Sequence, residues 1–299
     1  MQKTALQRKK VQTASLSIFS NIFLIILKIT VGLISGSVSI ISEAIHSGMD
    51  LIAAIIAFFS VRISGMPPDK NHQYGHGKFE NVSGVIEAIL IFIAAGWIII
   101  EAIKKIMEPS LPESLGMGTI VMGISALVNF IVSQRLYKVG KETDSVALEA
   151  DGLHLRTDVF TSLGVAVGLC LIWVTKIAIL DPIVAILVAC LILRESFILL
   201  KKAYSPLLDT PLPEKEISII ESLISKHLKP GMNYHMLRSR KAGARCYVDL
   251  HLEVPGDISV NESHQLCDVI EKDIGHELNN IEVYIHIEPN DFDQKEEEL

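Results

Sequence analysis

The chain has 299 residues, a net charge of −7, 49% apolar residues and a mean hydropathy of +0.41. An apolar share of that size is within reach of a soluble domain, so the bulk figure separates nothing and the distribution has to decide. Apolar residues crowd before position 205 and charged residues follow it, which excludes a uniformly soluble chain and divides it into a membrane half and a soluble half.

The N-terminal arm, residues 1–13, carries Lys3, Arg8, Lys9 and Lys10, and no small-residue cleavage site follows the apolar segment behind it. That segment is expected to be a retained first span and not a signal peptide. A membrane helix needs about 20 mostly apolar residues. Six segments qualify: Ala14–Ile34, Val38–Ile63, Phe79–Ile106, Met117–Tyr137, Val146–Val174 and Ile177–Ala203. The third and fifth are long enough to tilt or to project past the bilayer. Short breaks at Ser35-Gly36-Ser37 and near Lys176 make antiparallel hairpins of the first and last pairs. Residues 14–205 are thus expected to form six transmembrane helices.

Orientation follows from the basic residues. Besides the arm, Arg62, Lys70, Lys78, Arg135, Lys138, Lys141, Lys201 and Lys202 all fall on one side. Lys104, Lys105 and Lys176 fall on the other. The richer side is expected to be cytoplasmic and to hold both termini. A proline-rich linker, residues 206–213, stops the last membrane helix. Glu214–His227 then reads as an amphipathic helix, Tyr234–Arg240 and Arg245–Val254 as strands joined at Ala242-Gly243, Val260–Leu278 as a second helix, and Ile281–Ile287 as a third strand. The fold class expected is an α-helical membrane protein of six transmembrane helices. A small cytosolic α+β domain follows it, αββαβ and ferredoxin-like, over residues 214–290. So small a domain has a limited core, which metal or dimerisation would help to hold. The acidic tail, residues 291–299, reads as solvated and disordered. Cys170, Cys190, Cys246 and Cys267 form no C-x-x-C pair and read as scattered buried thiols.

Ionisable groups inside apolar spans cost at least a few kcal/mol each and need a reason. The second span holds Glu43, His46 and Asp50; the fifth holds His154 and Asp158. Both pairs share the spacing H-x-x-x-D, which puts histidine and aspartate on one helix face a turn apart. One such pair is explained as well by a hydrogen bond between turns. Two of them, on facing helices, would offer a tetrahedral His₂Asp₂ set suited to Zn²⁺. Without metal, His46 and His154 would serve as membrane-buried proton carriers. The loop after the second span reads D-x-x-H-x-x-x-H, and Asp69, His72 and His76 would suit a loosely held Zn²⁺ or else remain solvated. In the soluble half, His251 and the His286/Glu288 pair lie on single faces of alternating strands. With His235 and His264 they would form a cluster for one or two metals, whereas His227 and His276 read as ordinary surface residues.

These features together resemble the cation diffusion facilitator family over nearly the whole chain. The resemblance rests on Ser35-Gly-Ser-Val-Ser39, His46/Asp50, His154/Asp158, Asp69/His72/Gly75-His-Gly-Lys78, His251-Leu-Glu253 and His286-Ile-Glu-Pro289. It implies a transport site at His46, Asp50, His154 and Asp158. It implies further metal sites at Asp69, His72 and His76, and at His235, His251, His264, His286 and Glu288, the last being aspartate in many bacterial relatives. It also implies a homodimer, exchange of metal for protons, and a salt bridge between Lys78 and Asp209 that joins the two domains. Histidine at position 46 resembles the zinc-selective members, and imidazole suits Zn²⁺ where carboxylates suit harder ions.

The resulting expectation is a secondary active transporter and not an enzyme. It would export Zn²⁺, with Fe²⁺, Cd²⁺ or Mn²⁺ as alternatives, from a prokaryotic cytoplasm across the inner membrane. Zn²⁺ would also serve as a structural or regulatory ion in the cytosolic domain. Partners would be metal ions, protons, the lipid bilayer and a second copy of the chain, with no nucleic acid. A metallohydrolase would need a general base as in H-E-x-x-H, which is absent, and phosphate-binding motifs for ATP-driven pumping are absent too. A membrane sensor or scaffold that uses only the cytosolic site, and a channel without proton coupling, are the remaining alternatives.

Overall fold

The computed structural model describes residues 2–35, 38–107, 117–175, 179–278 and 280–290. The expected break at 36–37, the turn near Lys176 and the acidic tail lie outside them, as do the side chains of Glu43 and Cys170. The chain divides into two compact units, Met1–Tyr204 and Ser205–Leu299.

The first unit contains α1 (Gln2–Ser35), α2 (Val38–Ser64), α3 (Lys78–Met107), α4 (Met117–Thr143), α5 (Val146–Thr175) and α6 (Leu180–Tyr204). Among the described residues, five helical segments are long and apolar enough to cross a bilayer: Ala5–Ile34, His46–Ser64, Lys78–Lys104, Ile120–Thr143 and Pro182–Leu208. α5 is not one of them. Glu149, Asp151, Arg156 and Asp158 interrupt its first half, and the side chains of 165–174 lie outside the described residues. Yet α5 is the most connected helix, packing on α1, α2, α3, α4 and α6. Its polar face is tolerable because other helices surround it.

The unit is apolar outside and polar within. Phe19, Leu33, Trp97, Leu127, Leu187 and Phe197 are exposed, while Ser17, Asn21, Asp50, Glu87, Asn129 and Asp151 are buried. Water would favour the reverse; a bilayer favours this. Small residues bring the helices close. A Cβ on Gly152 of α5 would lie 3.0 Å from the Tyr137 backbone nitrogen and 3.2 Å from Leu136 Cβ on α4, so glycine sets that contact.

In the second unit, a short 3-10 turn (Ser205–Leu208) precedes α7 (Glu214–His227), β1 (Asn233–Ala242), β2 (Arg245–Val254), α8 (Val260–Glu277) and β3 (Ile281–Pro289). The order is the expected αββαβ. The sheet runs β1-β2-β3, with β1 antiparallel and β3 parallel to β2. α8 supplies the crossover that two parallel strands require. A capping box between Ser259 and Glu262 starts it. The hairpin turn sits at Gly243-Ala244, one residue beyond the expected place, and Gly243 supplies the positive φ of 60°.

Alternation on β2 decides what the sheet buries. Val248, Leu250, Leu252 and Val254 point into a core shared with Ile220, Ile224, Ile270 and Ile274 of the two helices. Asp249, His251 and Glu253 therefore face the other way. His227, expected on the surface, is partly buried, with its Nε2 2.8 Å from Asp273 on α8. Of the described cysteines, Cys246 and Cys267 are buried as expected, whereas Cys190 is exposed on α6.

Candidate metal centres

The membrane unit brings α2 and α5 together at their ionisable residues. Ligand atoms of His46, Asp50 and Asp158 all lie within 4.8 Å of one another. His154 joins through Asp50: its Nε2 is 3.2 Å from Asp50 Oδ1. Both H-x-x-x-D pairs thus converge on one place. Asp50 is buried and His46 exposed, so the cluster has a closed side and an open side. Burial of carboxylates inside an apolar shell raises the affinity of the place for a compensating cation.

Several polar residues that sequence reasoning passed over surround this cluster. Asn129 Nδ2 of α4 donates to Asp158 Oδ2 at 3.4 Å, and Asn21 Nδ2 of α1 donates to the Asp50 carbonyl at 3.4 Å. Lys28 Nζ donates to Ser47 Oγ at 2.8 Å, and Ser17 Oγ donates to Asp151 Oδ1 at 3.1 Å. Their signal in the sequence is a lone polar residue within an apolar span.

The loop between α2 and α3 holds a second group. His72 Nδ1 lies 3.3 Å from Asp69 Oδ1, and His76 Nε2 lies 3.2 Å from Asp69 Oδ2. The two imidazole rings are 4.4 Å apart. The backbone N–H of His72 donates to Asp69 Oδ1 at 2.7 Å and that of Asn71 at 2.8 Å. Those bonds, His72 foremost, hold the Asp69 carboxyl below the usual carboxylate range against the opposing effect of burial. Gly75 turns the chain at φ 83° between the histidines.

The third group lies on the outward face of the sheet. His235, His251 and His286 occupy one row across β1, β2 and β3. Glu288, one pleat along β3, reaches back to all of them. Its Oε1 lies 2.7 Å from His251 Nδ1 and 3.4 Å from His286 Nε2, and its Oε2 lies 3.1 Å from His235 Nε2. Glu253 Oε1 is 3.6 Å from the same His235 nitrogen. Burial pushes the Glu288 carboxyl up, but hydrogen bonds from His235 and His251 outweigh it and hold the group below the ordinary range. His235, His251 and Glu288 offer three ligand atoms within 4.8 Å of one another. His264 stands apart on α8, exposed and 3.9 Å from Asp268.

A break in β1 makes this row possible. Pairing shifts between His235 and Arg238, and Met236 sits in the left-handed region at φ 49°. Two residues of β1, Met236 and Leu237, stand there opposite Leu250 alone on β2, so the bulge reverses the side-chain parity. Without it Met236, and not His235, would stand opposite His251.

In all three groups imidazole nitrogens meet carboxylate oxygens, a donor set that fits Zn²⁺ and neighbouring divalent metals. Asp209, the expected partner of Lys78, lies 3.7 Å from Arg240 within its own unit.

A family model described as the cation efflux transmembrane domain matches residues 14–208. A second, described as the cation efflux protein cytoplasmic domain, matches residues 212–290. An uncharacterized transporter of Synechocystis is 35% identical over 88% of this chain and 85% of its own. The cation-efflux pump FieF of Shewanella oneidensis is 30% identical over 91% of this chain and 92% of its own. A solved structure titled as the putative zinc transporter CzrB shares 33% identity, covering 26% of this chain and 96% of its own, with a TM-score of 0.25. The helical unit and the small α/β unit behind it therefore have a common origin with known transporters, and the chain belongs to the cation efflux (cation diffusion facilitator) family of integral membrane proteins.

Proposed function

We propose that this protein exports divalent metal ions, Zn²⁺ foremost, from the cytoplasm in exchange for protons, using His46, Asp50, His154 and Asp158 as a tetrahedral site. The observation that carries this reading is the approach of His46, Asp50 and Asp158 ligand atoms to within 4.8 Å, with His154 hydrogen-bonded to Asp50, inside an apolar helical unit. Two relatives' names add support, since FieF of Shewanella and of Yersinia are both called cation-efflux pumps.

α5 acts as the sixth membrane helix, shielded by the helices around it. Its second half, 165–174, is apolar in sequence. Basic residues put both termini in the cytoplasm of a prokaryotic inner membrane. Residues 1–13 are then a cytosolic arm, 14–205 the transport domain, 206–213 a linker and 214–290 a cytosolic metal-binding and dimerisation domain. Protons and metal compete for the same atoms, because imidazole and carboxylate bind metal only when deprotonated. A near-neutral cytoplasm loads metal onto the site, and higher proton activity outside expels it. Helices rocking about the site would alternate its exposure.

Asp69, His72 and His76 bind a second ion loosely. His235, His251, His286 and Glu288 bind a resident metal in the cytosolic domain, with His264 of α8 as a further ligand, and that metal stabilises the state that holds it. Two copies act as a homodimer. Zn²⁺ is favoured over Fe²⁺, Cd²⁺ and Mn²⁺ by the histidine content of the site.

The test is transport by purified full-length protein in vesicles loaded with metal- and pH-sensitive dyes. Zn²⁺ flux with opposite proton flow is expected. Flux without proton movement would indicate a channel. No flux with Zn²⁺, Fe²⁺, Cd²⁺ or Mn²⁺ would favour a membrane sensor.

A further inference from the structure

Two buried groups near the transport site lack partners. Glu87 of α3 is fully buried, and neither carboxylate oxygen has a hydrogen-bond partner. His154 Nδ1 is buried and likewise has none. A carboxylate left bare in an apolar interior costs the whole penalty of its desolvation, so native chains seldom keep one without use.

The helices bring the two into one neighbourhood. Ala88 and Ile91 of α3 pack in a single apolar cluster with Ala150 and Leu153 of α5. Glu87 adjoins the first pair and His154 the second. His154, Asp151 and Asp50 all lie within electrostatic reach of Glu87.

The other carboxylates around His154 are engaged. Asp50 Oδ1 faces its Nε2 at 3.2 Å, Asp158 accepts from Asn129 at 3.4 Å, and Asp151 accepts from Ser17 at 3.1 Å. Asp151 keeps one bare oxygen, Oδ2. Glu87 has both oxygens bare.

A metal-ligating histidine gives its second ring N–H to a carboxylate or carbonyl, which fixes the tautomer and aims the lone pair. In His154, Nε2 points at the ligand cluster and Nδ1 points away from it. We infer that Glu87 is the positioning residue of the transport site, accepting the Nδ1–H of His154 when Nε2 binds metal. This rests on the transport site proposed above and adds a carboxylate from α3 to the residues of α2 and α5. α3 would thereby sense the occupancy of the site through one hydrogen bond.

The experiment measures initial Zn²⁺ uptake against Zn²⁺ concentration at fixed pH, with full-length protein in proteoliposomes. Glu87→Leu removes the acceptor, and Glu87→Met does the same if the leucine variant does not purify as a homogeneous protein. We expect KM to rise about 10–100-fold with a much smaller change in kcat, the usual effect of losing an outer-shell partner. Glu87→Gln keeps an acceptor oxygen and restores most of the affinity. Asp151→Asn keeps KM close to that of the wild type.

Wild-type KM in Glu87→Leu would overturn the inference. So would a KM rise in Asp151→Asn equal to that in Glu87→Leu, which assigns the acceptor to Asp151. A fall in kcat shared by the leucine and glutamine variants at unchanged KM would also overturn it, making Glu87 a proton carrier. Absence of saturable flux in the wild type would defeat the transport reading itself, whereas normal wild-type flux with an indifferent Glu87→Leu defeats only the role of Glu87.

Discussion

Glu288 is the residue on which the soluble cluster turns, since three histidines from three strands reach it. Hydrogen bonds from two of them keep its carboxyl below the ordinary range in spite of partial burial. The sign of its pH effect follows. A depressed carboxylate pKa gives stability that is present above the unfolded value of about 4.3 and is lost as pH falls through the folded value. Between pH 7 and 5 Glu288 therefore stays ionised and able to act as a ligand. We expect Glu288→Gln to weaken Zn²⁺ binding on the order of tenfold or more and so to move metal release to higher pH at a given Zn²⁺ concentration. Zn²⁺ titrations of the full-length protein at stepped pH would check this, and a midpoint left in place by the substitution would contradict it. His251 and His286 were legible from strand alternation, whereas the face of His235 depends on the β1 bulge. Glu87, Asn129 and Asp151 were not legible, because a single polar residue in an apolar run gives no spacing to read.

Elements explain which parts of the site the sequence could reveal. α7 and β2 begin and end at the expected residues, since helix and strand periods are clear in Glu214–His227 and Arg245–Val254. The β1 bulge was not legible, because no glycine marks it and Met236 takes the left-handed conformation itself. Deleting Met236 should restore regular pairing and keep His235 opposite His251, since two steps of β1 would then match two of β2. We expect that deletion to keep the Zn²⁺ affinity of the cytosolic domain close to that of the wild type while α7 and α8 stay folded, as read by titration and circular dichroism. On the membrane side, the contact between α4 and α5 depends on Gly152 having no side chain. Gly152→Val should push the helices apart at an overpacking cost of about 1–3 kcal/mol. A lower melting temperature in detergent and weaker metal transport are the expected results.

At the scale of the molecule, the arrangement of polarity explains both the lipid setting and the chemistry. Apolar side chains cover the outside of the helical unit, and charged and amide side chains meet at its centre. Paired H-x-x-x-D spacings made the central cluster legible, because they recur in two spans that had to pack together. α5 was the harder element to read, since its charges keep it outside a hydropathy criterion and its contacts with five other helices accommodate them. Asp158 is the cluster member that ties α5 to α4, through its hydrogen bond from Asn129. The most direct measurement is therefore Zn²⁺ flux with proton counterflow in proteoliposomes, wild type against Asp158→Ala. We expect wild-type exchange and, in the variant, loss of metal flux and proton flow together. Transport by Asp158→Ala at the wild-type rate would contradict the assignment of the site.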